Sequence, residues 1–238
     1  MYNDYGNNEL YYNLPNAEWI VDDCNEDMLV DCIDKKLKLV SISFTDNFNK
    51  SIENLRNITH LKHITFGKFF NRSIKPLRRS TNLIHITFGT LFTQSIEALA
   101  DCTKLEQIIF GDCFNRSIES LRRSTHLERI IFGICFDQSI EPLRHCGHLK
   151  QITFGNNFDQ SIEPLRRSAS LQQITFGSEF NRSIEPLGNC GILQQIALGC
   201  SFNKSIAPLV NCIKLTRLYL SKHYNRPLDI LKNVEIVR

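Results

Sequence analysis

Residues 158–179 read FDQSIEPLRRSASLQQITFGSE. Near-copies of the opening phrase begin at Phe48, Phe70, Phe92, Phe114, Phe136, Phe180 and Phe202, with an echo at Tyr224, so the unit returns every 22 residues without insertion. A fixed period of this length marks a solenoid, in which each unit buries its apolar face only by stacking on the next. Six apolar columns run through the copies, here Phe158, Ile162, Leu165, Leu171, Ile174 and Phe176. One unit alone orders too many residues for the apolar area it hides, so none is expected to fold in isolation.

In the unit from Phe70, Leu83-x-x-Ile86-x-Phe88 has the spacing of a leucine-rich-repeat strand. Ile86 and Phe88 are two apart and share one face, while His85 and Thr87 share the other. Gly89 follows, where a turn is expected. "SIEPL" predicts one short helical or 3₁₀ turn, with Ser as N-cap, Glu in the first turn and Pro where a missing N–H costs little. The expected fold is therefore an α/β repeat solenoid: a right-handed, leucine-rich-repeat-like coil with a parallel β-sheet on one face and short helical or 3₁₀ turns on the other.

Composition narrows the function classes. No apolar run approaches the ~18 residues of a membrane span, and the N-terminus lacks the basic start and apolar core of a signal peptide. Nine cysteines, an odd number, suit reduced thiols in a cytoplasmic or other reducing compartment rather than a secreted protein. The net charge of +3 conceals an asymmetry: residues 1–34 hold nine of the 25 acidic residues and none of the 28 Lys and Arg, leaving +12 on the remainder. Three regions are expected: an acidic tail and capping segment over 1–38, about eight repeats over 39–231, and a C-terminal tail over 232–238. Val30 and Ile33 fall one period before Ile52 and Leu55 and suggest a capping half-repeat. The acidic head could also fold back on the basic body.

Most repeated polar residues read as scaffold. Six N-x-S/T sequons begin at Asn49, Asn57, Asn71, Asn115, Asn181 and Asn203. Thr93, Asp137 and Asp159 fill the same column and cannot carry an N-glycan, so the column is expected to serve turns through a side-chain oxygen. Cys102, Cys146, Cys190 and Cys212 alternate with Ser80, Ser124 and Ser168 in one column, which suits a small residue at a tight inward turn. Cys113 and Cys135 share another column. No paired C-x-x-C spacing suggests zinc, and His60, His63 and His85 read as solvent-facing polar residues. There is no Ser/His/Asp arrangement, no phosphate loop and no carboxylate pair outside a repeat column. Neither catalysis nor a cofactor nor a metal is expected.

Two surfaces remain. On the strand face, the Thr column is broken by Ile109 and Ile131, next to Gln107, Arg129 and Gln151; Arg217 and Tyr219 break the same columns further on. An Arg beside apolar groups suits a protein partner, although β-branched strand preference alone could fill those positions. On the other face, Arg78, Arg79, Arg122, Arg123, Arg144, Arg166 and Arg167 form a ladder that could bind nucleic acid or another polyanion. Glu residues three positions earlier would neutralise it. A third possibility is self-association through an open C-terminal edge strand around Leu218 to Leu220.

F-N-x-S-I-x-P-L followed by I-T-F-G at 22-residue spacing resembles the FNIP repeat family, over about residues 39–231. That family is abundant in amoebae and the giant viruses that infect them, and is regarded as a variant of leucine-rich repeats. The resemblance implies protein–protein interaction and no catalytic residue. Some members join an F-box to the repeats, which implies substrate recognition for ubiquitin ligases; here only about 38 acidic residues precede the first strand, and Leu14-Pro15 with later apolar residues is a weak echo of that arrangement, so this segment is a degenerate F-box, a cap or a disordered tail, with the cap preferred. The reading of choice is a non-enzymatic scaffold that binds an unknown protein partner through its strand face, with no role for a membrane.

Overall fold

The computed structural model describes residues 18–21, 39–229, 231 and 234–238. Each I-T-F segment forms a strand of three or four residues in which the Ile is buried and its neighbours are partly exposed. The strands are β1 (Glu18–Val21), β2 (Ser41–Phe44), β3 (His63–Thr65), β4 (His85–Thr87), β5 (Gln107–Ile109), β6 (Arg129–Ile131), β7 (Gln151–Thr153), β8 (Gln173–Thr175), β9 (Gln195–Leu198), β10 (Arg217–Leu220) and β11 (Glu235–Val237). They form one sheet in chain order, and every neighbouring pair is parallel. At about 4.8 Å per strand the sheet runs roughly 48 Å. The molecule is a right-handed solenoid with strands on one face and 3₁₀ turns on the other.

From β2 to β10 partners lie one 22-residue period apart, as in Ile86↔Ile108. The ends depart from it: Glu18 pairs with Ser41 and Arg217 with Glu235. The sheet thus extends one strand beyond residues 39–231 at each end. β10 pairs with β11 from Arg217 to Tyr219, so the stretch around Leu218 is not the open edge expected from the sequence; among the described residues β11 is the last strand of the sheet. The capping half-repeat around Val30 and Ile33, and the folding back of the acidic head, lie outside the described residues.

Aromatic rings organise the core as two ladders. Phe48, Phe70, Phe92, Phe114, Phe136, Phe158, Phe180 and Phe202 stack at 6.1–6.3 Å between centroids, and Tyr224 closes the row at 6.0 Å. A second row, Phe44 to Phe176, stacks at 5.4–5.7 Å, and its rings meet the first row at 3.8–4.4 Å. Apart from the tilted Phe44–Phe48 pair, these ring contacts are near-parallel. A ring at every coil also sets how far one coil can shift on the next.

Glycine has a different job from the turn expected. At Gly67, Gly89, Gly111, Gly133, Gly155, Gly177 and Gly199 a Cβ would lie 1.9–2.2 Å from the carbonyl oxygen one coil earlier, and none has a left-handed φ. The residue is needed because two backbones touch. Just beyond, single backbone bonds such as Leu91 N–H to Lys68 O (3.0 Å) and Cys135 N–H to Asp112 O (2.8 Å) join the coils outside the strands.

The turn residues are also reassigned. Ile, not Ser, occupies the N-cap of each 3₁₀ turn, and it makes no side-chain cap. Ser sits one position earlier and accepts the N–H two residues on, as from Glu163 to Ser161 at 3.2 Å. The Asn column reaches across coils rather than closing its own turn: Asn49 Oδ1 accepts the Asn71 N–H at 2.9 Å, and Asn115 accepts that of Asp137 at 3.0 Å. Asp137 and Asp159 accept the N–H of Asp159 and Asn181 in the same way. The next residue reaches back too: Arg72 and Arg182 donate to the previous coil's backbone carbonyls, and Gln138 and Gln160 to its side-chain oxygens. This ladder accounts for sequons at Asn49, Asn71, Asn115 and Asn181 without a glycan.

Candidate protein-binding face

The strand face is set by alternation: each buried Ile points inward and its two neighbours point out. Register then places Gln107 beside Arg129 beside Gln151, and Ile109 beside Ile131. The Arg129 Nε donates to Gln151 Oε1 at 3.0 Å, which fixes the guanidinium along the sheet. The five residues singled out on β5, β6 and β7 therefore form one patch. Charges frame it, with Lys150 Nζ 2.7 Å from Glu128 and His85 Nε2 4.0 Å from Glu106.

Arg217 and Tyr219 share the face but not the patch. They sit on β10, three strands past β7, roughly 14 Å away. Arg217 Nε donates to Glu235 Oε2 of β11 at 3.0 Å.

Sequence columns alone did not reveal that the patch continues beyond the strands. Phe69, Leu91 and Ile134 are 41%, 39% and 45% exposed in the loops that follow β3, β4 and β6. Cys113 and Cys135 lie in the column of Phe69 and Leu91, half-buried with free thiols. The signal was present: this column is apolar from Phe69 to Cys135 and becomes Asn157, Glu179 and Ser201 later. Four residues after Ile109 or Ile131 in each unit, it extends their apolar surface along the rim.

On the opposite face the Arg ladder is largely self-neutralised. Arg56 pairs with Glu53, and Arg122, Arg144 and Arg166 each pair with the Glu three residues earlier. The last three are two-pronged, with the second bond at 2.9–3.0 Å. These hydrogen bonds hold Glu119, Glu141 and Glu163 below the usual carboxylate range. Arg123 lies 3.5 Å from Asp101 of the previous coil. The ladder is also interrupted, because Ala100 stands where an Arg would fall, and it ends at Gly188 and Val210.

The buried cysteine column is structural. Ser80 Oγ donates to Ile58 O at 3.0 Å, and Cys102 and Cys146 sit 3.5 Å from the carbonyls of Ser80 and Ser124. Burial pushes the Cys102 and Cys190 thiols up to about 12 and those of Cys146 and Cys212 to about 11. His63 and His85 stack at 4.8 Å. Among the described residues no three His, Cys, Asp or Glu side chains gather where a metal ion could be held, and no helix is long and apolar enough to cross a membrane.

The class is thereby defined: a leucine-rich-repeat-type solenoid. No family model matches the chain, and no curated protein matches it. Solved structures do. An internalin from Listeria monocytogenes is 20% identical with a TM-score of 0.72, over 84% of this chain and 60% of the internalin. A leucine-rich-repeat protein of Leptospira interrogans is 12% identical with a TM-score of 0.65, over 82% of this chain and 52% of that one. The Toll–Spätzle complex of Drosophila contains a chain 14% identical with a TM-score of 0.71, over 92% of this chain and 33% of that one. This chain spans less than two thirds of each of these three, and at these identities the likeness is one of fold.

Proposed function

We propose that the protein is a non-enzymatic scaffold that binds a protein partner through the strand face of β5 to β7. The observation that carries this reading is the uncovered pairing of Ile109 with Ile131, flanked by the tethered Arg129 and continued by exposed Leu91 and Ile134. An Arg held in place beside apolar groups loses little entropy when a partner covers it, which is the make-up of an interface centre. Leucine-rich-repeat solenoids that engage proteins, as in the Toll–Spätzle complex, lend the reading support by analogy of fold. The phrase F-N-x-S-I-x-P-L adds the FNIP-type expectation of substrate recognition for a ubiquitin ligase as a narrower form of the same function.

The test is quantitative affinity purification from the native cell with wild type, Ile109→Asp/Arg129→Asp/Ile131→Asp, and a control, Thr175→Asp, on the same face. Loss of the same proteins from the triple variant alone supports the site. Equal recovery by all three forms overturns it. Nucleic-acid binding along the Arg ladder is less well supported, since four of its rungs are already paired with Glu.

A further inference from the structure

One stretch of the turn face escapes this neutralisation. In the unit at 75–79, Lys75 occupies the Glu column, so Arg78 has no carboxylate three residues before it, and Arg79 follows. In the next unit Ala98 stands where the preceding coil has Pro76, and Ala100 where the neighbouring coils have Arg78 and Arg122. The result is a groove of about 510 Å³ lined by Arg56, Lys75, Arg78, Arg79, Glu97 and Asp101. Arg56 is paired with Glu53 and Asp101 with Arg123. Among the described residues Lys75, Arg78, Arg79 and Glu97 carry no ion pair, so the groove keeps an excess of two positive charges.

We propose that this groove binds a phosphate monoester. Its two surplus charges match the charge of about −2 on such a group, and guanidinium and ammonium donors together suit its three acceptor oxygens. Pro76 and Ala98 supply an apolar floor on which the carbon attached to the phosphate can rest. An adjoining hollow of about 800 Å³, lined by Ser95, Ala100, Ser117, Glu119 and Ser120, gives room for more than a free ion. A nucleic acid would need cations spaced along the whole face, and beyond this groove most rungs are occupied by Glu.

The test uses the full chain and fluorescence anisotropy at ~100 mM salt. The probe is a random nonapeptide pool with a central phosphoserine, compared with the same pool carrying serine; inorganic phosphate and a 20-nucleotide RNA serve as further probes. We expect the phosphoserine pool to bind and the serine pool not to. Binding should weaken about tenfold or more in Arg78→Gln and in Arg79→Gln, and stay unchanged in Arg166→Gln and in Ile109→Asp/Ile131→Asp. All these side chains are exposed or partly exposed, and unaltered thermal unfolding would show that folding is intact. If inorganic phosphate binds as tightly as the pool with the same Arg78 and Arg79 dependence, the site stands and its ligand is a small phosphate. The proposal is overturned if neither probe binds, if the serine pool binds equally, or if Arg166→Gln weakens binding as much as Arg78→Gln. RNA binding tighter than the pool, with losses shared along the ladder, overturns it in favour of a polyanion surface.

Discussion

The cross-coil Asn ladder can be tested by comparing Asn181→Ala with Asn203→Ala, two substitutions that look identical in the sequence. Asn181 Oδ1 accepts the Asn203 N–H at 3.0 Å in a partly buried setting. Removing it leaves that N–H without an acceptor, at about 1–3 kcal/mol, with the lower half expected where water has some access. Asn203 is the last rung: its own Oδ1 is buried and receives no hydrogen bond. Its N–H still donates to Asn181 when the side chain is cut back to Ala. Asn203→Ala therefore removes an unsatisfied acceptor and should be neutral or mildly stabilising. The gap of about 1–2 kcal/mol corresponds to roughly 2–8 °C in Tm for a chain of this size. Thermal and urea unfolding by circular dichroism measures the gap, and hydrogen exchange at the Asn203 amide should accelerate in Asn181→Ala only. Equal losses from both variants would refute the reasoning, because the side chains would then be serving their own turns.

Gly155→Ala puts a Cβ 1.9 Å from Gly133 O and must force neighbouring coils apart, so it should cost about 3 kcal/mol or more in urea unfolding. Gly147→Ala meets nothing within 4 Å and should be neutral or stabilise by up to about 1 kcal/mol. Among the described cysteines, iodoacetamide at pH 8 should label Cys200 first and the half-buried Cys113 and Cys135 more slowly. The thiolate is the reacting form, and burial holds Cys102, Cys146, Cys190 and Cys212 protonated up to about 11 or 12. These four should react only on unfolding, and their labelling in the folded protein, read by peptide mapping, would contradict the packing.

Periodic features were readable from the sequence because each repeats its own confirmation. Phe158, Ile162, Leu165, Leu171, Ile174 and Phe176 all proved buried, as the columns required. What escaped were relations between coils. Gly89 and Asn115 read as turn residues in the sequence, yet both act on a residue 22 positions away, and no local turn rule contains that distance. The ends were missed because their offsets leave the period, with Glu235 pairing 18 residues after Arg217. Ile109, Arg129 and Ile131 were visible as breaks in a column, and parallel register alone brings such breaks together. Arg217 broke a column as well, but its carboxylate partner lies in β11, outside the pattern. The groove at Lys75 and Ala100 was equally visible as two departures, but its charge balance depends on which Glu reaches which Arg.

The uniform pitch between β2 and β10 has a consequence for how such a molecule changes over generations. From Gly67 to Gly199 each coil offers its successor the same glycine and the same ring, and all but the coil of Thr93 a side-chain acceptor, so the top of one coil fits the bottom of almost any other. An in-frame loss of residues 133–154 would bring Gly155 against Gly111 and Phe158 against Phe114, contacts already present elsewhere in the chain. Slippage during DNA copying, which commonly adds or removes whole repeats, would thus yield foldable proteins of different length. The extent of the surface can drift by duplication, while its chemistry is edited one outward-facing residue at a time.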